Sequence, residues 1–340
     1  MNQPKVSIVI PMFNARKYIA TTIDSILAQT FEDFEVIVID DHSTDGSSDF
    51  LRDRYSDSRI KLFQNFRNMG DTETRNIGLD LAQSEFVYFM DHDDAILPKT
   101  LEILVNAAEK SQAEVVFMNS VLIPKDQDFT YEDEVELDRI LINNPTPRFL
   151  SKNLTERLQK ELIDRDCLWE PWIKIHRRDF LIENKIFFPP IFATSDLLLH
   201  LTTLLAGKKL QIIDASCYVH RKTPTSISRS NRDEYLRRAL ETLPNIIEYL
   251  ENLFTKKNLP KISRENQLII ESYLVTSLTT MHFSHSDLPL EIKDQIVREF
   301  ISRPRAMNPS IIRATIQSFT TFATWFLNRS TNQKCMFELR

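Results

Sequence analysis

Glycine is scarce in this chain, four in 340 residues. None of the four completes a G-x-G-x-x-G pattern after the first apolar run, and no G-x-x-x-x-G-K-[ST] occurs anywhere. Those loops cradle phosphates with backbone N–H groups, so their absence argues against an NAD enzyme and against a P-loop NTPase. Cysteine is equally sparse. Cys167, Cys217 and Cys335 are far apart and form no CxxC pair, which argues against a disulfide framework or a structural zinc site and fits a reducing compartment. No window reaches the roughly 18 unbroken apolar residues of a spanning helix. The chain opens directly into an apolar strand, Val6–Ile10, without the features of a signal peptide, so the expected location is cytoplasmic. Excess positive charge is missing too. The net charge is −6, which gives no support to a nucleic-acid partner.

What is present is an ordinary soluble composition, 42% hydrophobic and 26% charged, long enough for two domains or one with an appendage. Short β-branched runs alternate with amphipathic ones. Val6–Ile10, Glu35–Asp40, Arg59–Gln64, Glu85–Met90 and Ala113–Asn119 read as strands. Helices are expected from Asn14, as N-cap, to Gln29, then over Ser47–Tyr55, Thr72–Ala82 and Pro98–Lys110. That alternation predicts an α/β fold with a mostly parallel central sheet and helices on both faces.

Two strands end in acidic clusters. Asp40-Asp41-His42-Ser43-Thr44-Asp45 follows the second, and Asp91-His92-Asp93-Asp94 follows the fourth. Ligands bind at strand C-termini in open α/β sheets. Three carboxylates in four residues repel one another unless a cation neutralises them. One reading is a hard divalent metal, Mg²⁺ or Mn²⁺, shared with phosphate oxygens. The other is a solvated loop that caps the next helix.

Four motifs in order resemble the family 2 glycosyltransferases with the GT-A fold. They are Pro11-Met12-Phe13-Asn14 with Ser25-Ile26…Gln29-Thr30; Asp40-Asp41…Ser43…Asp45; Asn68-Met69-Gly70…Arg75-Asn76-Ile77-Gly78; and Asp91–Asp94. The resemblance implies a GT-A (Rossmann-like) domain and an inverting, metal-dependent transfer of sugar from a nucleotide-diphosphate donor, most simply a UDP-sugar. The acceptor would be a hydroxyl of a glycan or lipid-linked glycan in bacterial surface polysaccharide or lipopolysaccharide assembly. It implies roles for individual residues. Pro11 and Phe13 would frame the base, with Phe13 stacking on it. Asp41 would accept from a ring N–H, and Arg75 would bind near the base or the diphosphate. Asp93 would hold the metal and Asp91 the ribose or sugar. Asp94 would touch the donor sugar or cap the next helix. Asp40 and Asp45 would be structural, and His92 a solvated spacer.

The resemblance continues more weakly to about residue 230. Trp169-Glu170-Pro171-Trp172-Ile173-Lys174 matches a Trp-x-Lys segment, and Trp169 and Trp172 are candidates to stack on an acceptor sugar or to fill the core. The family's Glu-Asp pair is Ser195-Asp196 here. Asp196 would be the catalytic base, with Ser replacing the usual Glu beside it. In Tyr218-Val219-His220-Arg221, His220 would be a further metal or phosphate contact and Arg221 a diphosphate ligand. The alternatives are a nucleotide-sugar-binding scaffold without turnover and a sugar nucleotidyltransferase, although Pro11–Arg16 lacks the glycine-rich loop of the latter.

Residues 1–230 are therefore expected to form the transferase domain, with the nucleotide half at 1–120 and the acceptor half at 121–230. Residues 231–340 should form a helical region. Its end carries Arg303, Arg305, Arg313, Arg329, Lys334 and Arg340 against Glu338, beside an apolar stripe of Ile312, Ile316, Phe319, Ala323 and Phe326. Such a basic amphipathic segment suits peripheral contact with an anionic membrane, a homodimer contact, or packing on its own chain.

Overall fold

The structure is a computed structural model that describes residues 3–119, 121–124, 148–163, 168–223, 242–256, 259–267, 269–270 and 273. The basic C-terminal segment, residues 125–147 and most of the expected helical region at 231–340 lie outside the described residues.

The first motifs fall on β1 (Val6–Met12), α1 (Ile19–Leu27), β2 (Phe34–Asp40), α2 (Ser47–Arg54), β3 (Ile60–Gln64), α3 (Asp71–Leu81) and β4 (Phe86–Phe89). β1 and β2 are buried along their whole length, which is why they read as continuous apolar runs rather than alternating ones. The β1–β2, β2–β3 and β1–β4 pairings are parallel, with Met12 opposite Asp40 and Val9 opposite Phe89. In this register Phe13, Asp41 and Asp91 all leave the sheet at one edge.

Pro11 is tolerated inside β1 for a local reason. Val9 accepts from Met90 across the β4 side, so Pro11, two residues on, faces the same side beyond the end of β4. Its missing N–H has no ladder partner to lose there.

The remainder is β5 (Ala95–Ile96), α4 (Thr100–Ser111), β6 (Val115–Met118), β7 (Arg148–Phe149), α5 (Leu154–Leu158), β8 (Lys174–Arg177), α6 (Arg178–Glu183), α7 (Ser195–Ala206), β9 (Leu210–Ile213), β10 (Tyr218–Val219) and α8 (Leu243–Thr255). The main sheet has eight strands in the order β3-β2-β1-β4-β8-β6-β9-β7. β8 runs antiparallel to both β4 and β6, so the expected run of parallel strands is split by a strand from the acceptor half. β10 pairs with β5 in a separate antiparallel ribbon, Tyr218 opposite Ile96.

Three local expectations change. Asn14 does not cap α1. Tyr18 does, and Asn14 adopts φ 48° with its side chain accepting from Thr44 N at 2.9 Å. α4 starts at Thr100 after Lys99 rather than at Pro98, and residues 95–96 form a short strand ahead of it. The first compact unit, residues 1–161 with 165–261, runs past the expected boundary at 230. It includes α8, whose Tyr249 hydroxyl lies 2.8 Å from that of Thr202 on α7. The second unit comprises residues 162–164 and 262–340.

α3 presses on the sheet through Gly78. A Cβ there would lie 2.2 Å from Val9 Cγ1 and 2.9 Å from Ile39 Cδ1. Alanine is the better helix former by about 1 kcal/mol, but both neighbours are core side chains of β1 and β2. Gly78→Ala is expected to lower unfolding free energy by about 1–3 kcal/mol, the usual cost of overpacking, read from urea denaturation midpoints; an unchanged midpoint would mean that the helix lifts off the sheet freely.

Candidate functional site

The three motif-bearing strands deliver their residues to the C-terminal edge of the sheet, and hydrogen bonds sort those residues into different jobs. Phe13 is 42% exposed immediately after β1, so its ring is open to a planar ligand. Asp41 is buried. Its Oδ1 accepts from Asn65 Nδ2 and Met69 N, and its Oδ2 from Gly70 N, each at 2.8 Å. It therefore shapes the turn whose Gly70 has φ 87°, and a carboxylate so placed retains acceptor capacity for one further donor. Asp40 and Asp45 are structural, as expected. Asp40 accepts from Ser43 N, Ser48 Oγ and Gln64 Nε2. Asp45 accepts from Arg16 N and from Ser47 at the start of α2.

Arg75 sits at the centre. It is 5% exposed. Its Nη1 donates to Asp71 Oδ2 at 2.8 Å and approaches Asp196 Oδ1 at 3.5 Å, and its Nη2 donates to Asp91 Oδ1 at 2.8 Å. The guanidinium also lies over the Phe188 ring, 5.4 Å from its centroid. Burial opposes its charge, but Asp196, Asp91 and Asp71 outweigh burial and raise its pKa. The arginine expected beside a nucleotide thus commits its hydrogen-bonding edge to three carboxylates from α3, the end of β4 and the start of α7.

Asp196 lies in the first turn of α7, not at its N-cap, which is Thr194. Burial pushes its carboxyl up to about 6; Arg75 pulls the other way, Asp71 and Asp91 push further up, and Lys174 pulls down. Ser195, in the place of the family's Glu, accepts from the Thr72 hydroxyl at 3.2 Å and lies 3.5 Å from Asp196 Oδ1. Thr72, through Ser195, and Asp71, through Arg75, therefore hold Asp196 from α3. Neither was singled out from sequence, although Asp71 stands four residues before Arg75, the spacing of a helical ion pair.

Asp94 is fully buried. Its carboxylate accepts from Tyr218 Oη at 2.6 Å and Arg221 N at 2.8 Å, and faces His220 Nδ1 at 3.2 Å. Burial drives its pKa up to about 6 against the pull of His220. This corrects both expected roles. Asp94 neither reaches out to a donor sugar nor caps α4; it anchors the β10 strand and the residues after it. Trp172 is also corrected. At 7% exposure it stacks on Tyr218, ring centroids 4.3 Å apart, and on His220 at 5.4 Å, so it packs in the core rather than offering a platform to a sugar. Trp169 is half-buried in the segment before β8. His92 is no solvated spacer either, because its Nδ1 lies 3.0 Å from the Pro11 carbonyl.

Of the acidic trio, Asp93 keeps the most open carboxylate. Thr223 Oγ1 meets its Oδ2 at a long 3.3 Å, while its backbone carbonyl accepts from Arg221 Nε at 2.8 Å. No group of three or more His, Cys, Asp or Glu side chains among the described residues is arranged to hold a metal ion. A single hard carboxylate fits a Mg²⁺- or Mn²⁺-type ion that draws its other ligands from phosphate and water. Asp93 fits that role; His220 is turned to Asp94 through Nδ1.

A family model described as glycosyl transferase family 2 matches residues 7–172. The chain is 27% identical over 241 residues to the uncharacterized glycosyltransferase EpsJ of Bacillus subtilis, covering 69% of this chain and 67% of that one. It is 37% identical over 132 residues to the GalNAc(5)-diNAcBac-PP-undecaprenol beta-1,3-glucosyltransferase of Campylobacter jejuni, covering 38% of this chain and 42% of that one; the match thus spans less than half of that relative. Among solved structures, residues 1–349 of S. aureus TarS in complex with UDP-GlcNAc superpose with a TM-score of 0.61 at 22% identity, covering 86% of this chain and 79% of that one. That likeness is one of fold, and the fold is GT-A.

Arg75→Met leaves Asp71, Asp91 and Asp196 facing one another. It is expected to cost about 2–3 kcal/mol, the lower end for a broken buried pair because Asp71 is half exposed and Asp91 and Asp196 keep some contact with water. The sign with pH follows from the raised carboxylate: unfolded carboxylates ionise near 4, whereas burial holds Asp196 up to about 6 in the fold. The deficit should therefore be small near pH 4 and grow as pH rises through about 6. Denaturant unfolding at pH 5 and pH 8 measures it, and an equal deficit at both would contradict the electrostatic account.

Proposed function

This chain belongs to glycosyl transferase family 2, and on that premise we propose that it is an inverting enzyme moving a sugar from a nucleotide-diphosphate donor to an acceptor hydroxyl. The observation that carries the reading is the seating of Asp196. A carboxylate pushed up to about 6, bonded to Arg75 beside Asp91 at the edge that presents Phe13 and Asp41, suits a general base working near neutral pH. The acceptor oxygen attacks the anomeric carbon while Asp196 takes its proton. The bond from that carbon to the diphosphate oxygen breaks, the nucleoside diphosphate departs, and the anomeric configuration inverts.

On the donor side Phe13 stacks on the base with Pro11 beside it, and Asp41 offers its remaining acceptor site to a ring N–H, which suits uracil and hence a UDP-sugar. Asp91, already oriented by Arg75, faces the ribose or sugar. Arg221, held on the Asp93 carbonyl, faces the diphosphate. A Mn²⁺ or Mg²⁺ ion held by Asp93, with His220 as a further contact, supplies charge neutralisation for the leaving diphosphate. Trp169 remains the aromatic candidate for the acceptor. A lipid-linked glycan is the acceptor class we favour, supported by the undecaprenol diphosphate substrate in the name of the Campylobacter relative. No described helix is long and apolar enough to cross a membrane; contact with the inner face of the cell membrane through the basic C-terminal segment would suit such an acceptor.

Two measurements test this. Donor-dependent release of nucleoside diphosphate, with acceptor present, should be abolished by EDTA and reduced about 10²- to 10⁴-fold by Asp196→Asn. Because the base works ionised, kcat/KM should rise with pH through about 6 and fall below it. Binding of a UDP-sugar without turnover over a broad acceptor panel would favour a scaffold instead. For the membrane contact, a chain ending at Arg305 should lose binding to anionic liposomes that the full chain shows, and equal binding by both would remove the idea.

A further inference from the structure

One face of α3 reaches across to the acceptor half. Thr72, Arg75 and Asn76 stand at i, i+3 and i+4 and so share that face. The Thr72 hydroxyl donates to Ser195 Oγ at 3.2 Å, and Arg75 Nη1 approaches Asp196 Oδ1 at 3.5 Å. Asn76 binds the backbone of Phe188 in both directions: its Nδ2 donates to the Phe188 carbonyl at 2.8 Å, and its Oδ1 accepts from Phe188 N at 2.9 Å. Asparagine is a poor residue for the middle of a helix, and both of these bonds leave α3. The Phe188 ring is buried edge to face with Phe89 at the end of β4, ring centroids 4.9 Å apart, and the Arg75 guanidinium lies over it. Phe188 is thus held by its backbone and by its ring.

The chain from Phe188 to Asp196 has little freedom. Pro189 and Pro190 fix two backbone φ angles in a row. Ile191 N donates back to the Pro189 carbonyl at 2.6 Å, and Thr194 N reaches the Ile191 carbonyl at 3.5 Å. Ala193 takes φ 64°, a left-handed conformation that an alanine keeps only where its surroundings impose it. Leu198 N then donates to the Thr194 carbonyl at 3.0 Å as α7 begins. We propose that Asn76 is a positioning residue for the transfer: its two bonds to Phe188 pin one end of this stiff segment, whose other end carries Asp196. This rests on the reading of Asp196 as the base. Arg75, and Thr72 through Ser195, hold the base end, while Asn76 fixes the entry. Phe13, Asp41 and Asp91, which face the donor, leave the ends of β1, β2 and β4 and are not bonded to Asn76, so the clamp serves the base and not the donor.

Two readouts on the full chain test this. The first needs no turnover. In Asn76→Ala, amide hydrogen exchange at Phe188, Ile191 and Thr194 should quicken about fivefold or more while the amides of β1 and β2 hold still. Exchange that stays as in wild type there, or that rises equally in β1 and β2, overturns the proposal. The second is a double-mutant cycle on UDP release from UDP-glucose, UDP-galactose and UDP-N-acetylglucosamine with acceptor present. Asn76→Ala should lower kcat about 10- to 100-fold and leave donor KM within about twofold. On an Asp196→Asn background it should change kcat by less than about twofold, because no base is left to position. A loss that repeats in full on that background, or one carried by donor KM, overturns the proposal. Asn76→Asp has the same size and still accepts from Phe188 N but cannot donate to its carbonyl. It guards against an alanine variant that fails to fold, and its kcat should fall between alanine and wild type; a kcat equal to wild type overturns the clamp. Release untouched by Asp196→Asn overturns the base reading and the proposal with it, an outcome that none of the other results imitates.

Discussion

One buried guanidinium organises this molecule. Arg75 is held by three carboxylates that come from its own helix, from the end of a central strand and from the first turn of a helix more than a hundred residues later. A cation in that position makes it tolerable to bring those acids together, and the acids in turn make the buried cation tolerable. Its placement is inherited from packing. α3 can bring Arg75 so close to the sheet because Gly78, one turn on, lets the helix settle against Val9 and Ile39. Its N-terminus is fixed because Asp41 gathers the N–H groups of Met69 and Gly70. The strand register, the helix seat and the turn ahead of the helix all converge on one side chain.

The three acids of the 91–94 stretch show how environment divides a sequence-level cluster. From sequence they are equivalent, a repelling trio in need of a cation. In the fold each meets a different neutraliser. Asp91 meets Arg75, Asp94 is consumed by Tyr218, His220 and the Arg221 backbone, and Asp93 keeps its carboxylate largely for something outside the protein. The difference arises from β10, a two-residue strand that pairs with β5 and brings residues 218–223 against the loop. That pairing has no periodic signature, because two residues are too short to show one.

Legibility from sequence followed physical locality. The first four strands and the helices between them were readable because buried parallel strands are continuous apolar runs and the turns carry their own polar residues. The structural roles of Asp40 and Asp45 were readable because each belongs to a short motif at a strand or helix end. What failed depended on contacts distant in sequence. Trp172 is a core residue because Tyr218 and His220 cover its ring. Asn14 loses its expected capping role because its side chain is claimed by Thr44, thirty residues on. The antiparallel β8 was hidden because an apolar run does not encode the direction in which it enters a sheet.

The scarcity of glycine bears on the chemistry through charge. A donor diphosphate entering this edge would find no glycine-rich nest of N–H groups. Arg75 is taken up by three carboxylates, and Arg221 is held by the Asp93 carbonyl and the Tyr18 ring, which leave its charge in place. Asp41, Asp71, Asp91 and Asp93 meanwhile crowd the same edge. One arginine against several acids favours an anionic ligand that brings positive charge with it, and the carboxylate left most open is Asp93. The arrangement therefore favours a donor that arrives as a complex with a divalent cation over one that binds as a bare anion. It also explains why the acidic trio is tolerable: two of its members are neutralised from within the protein, and only Asp93 is left for a partner from outside.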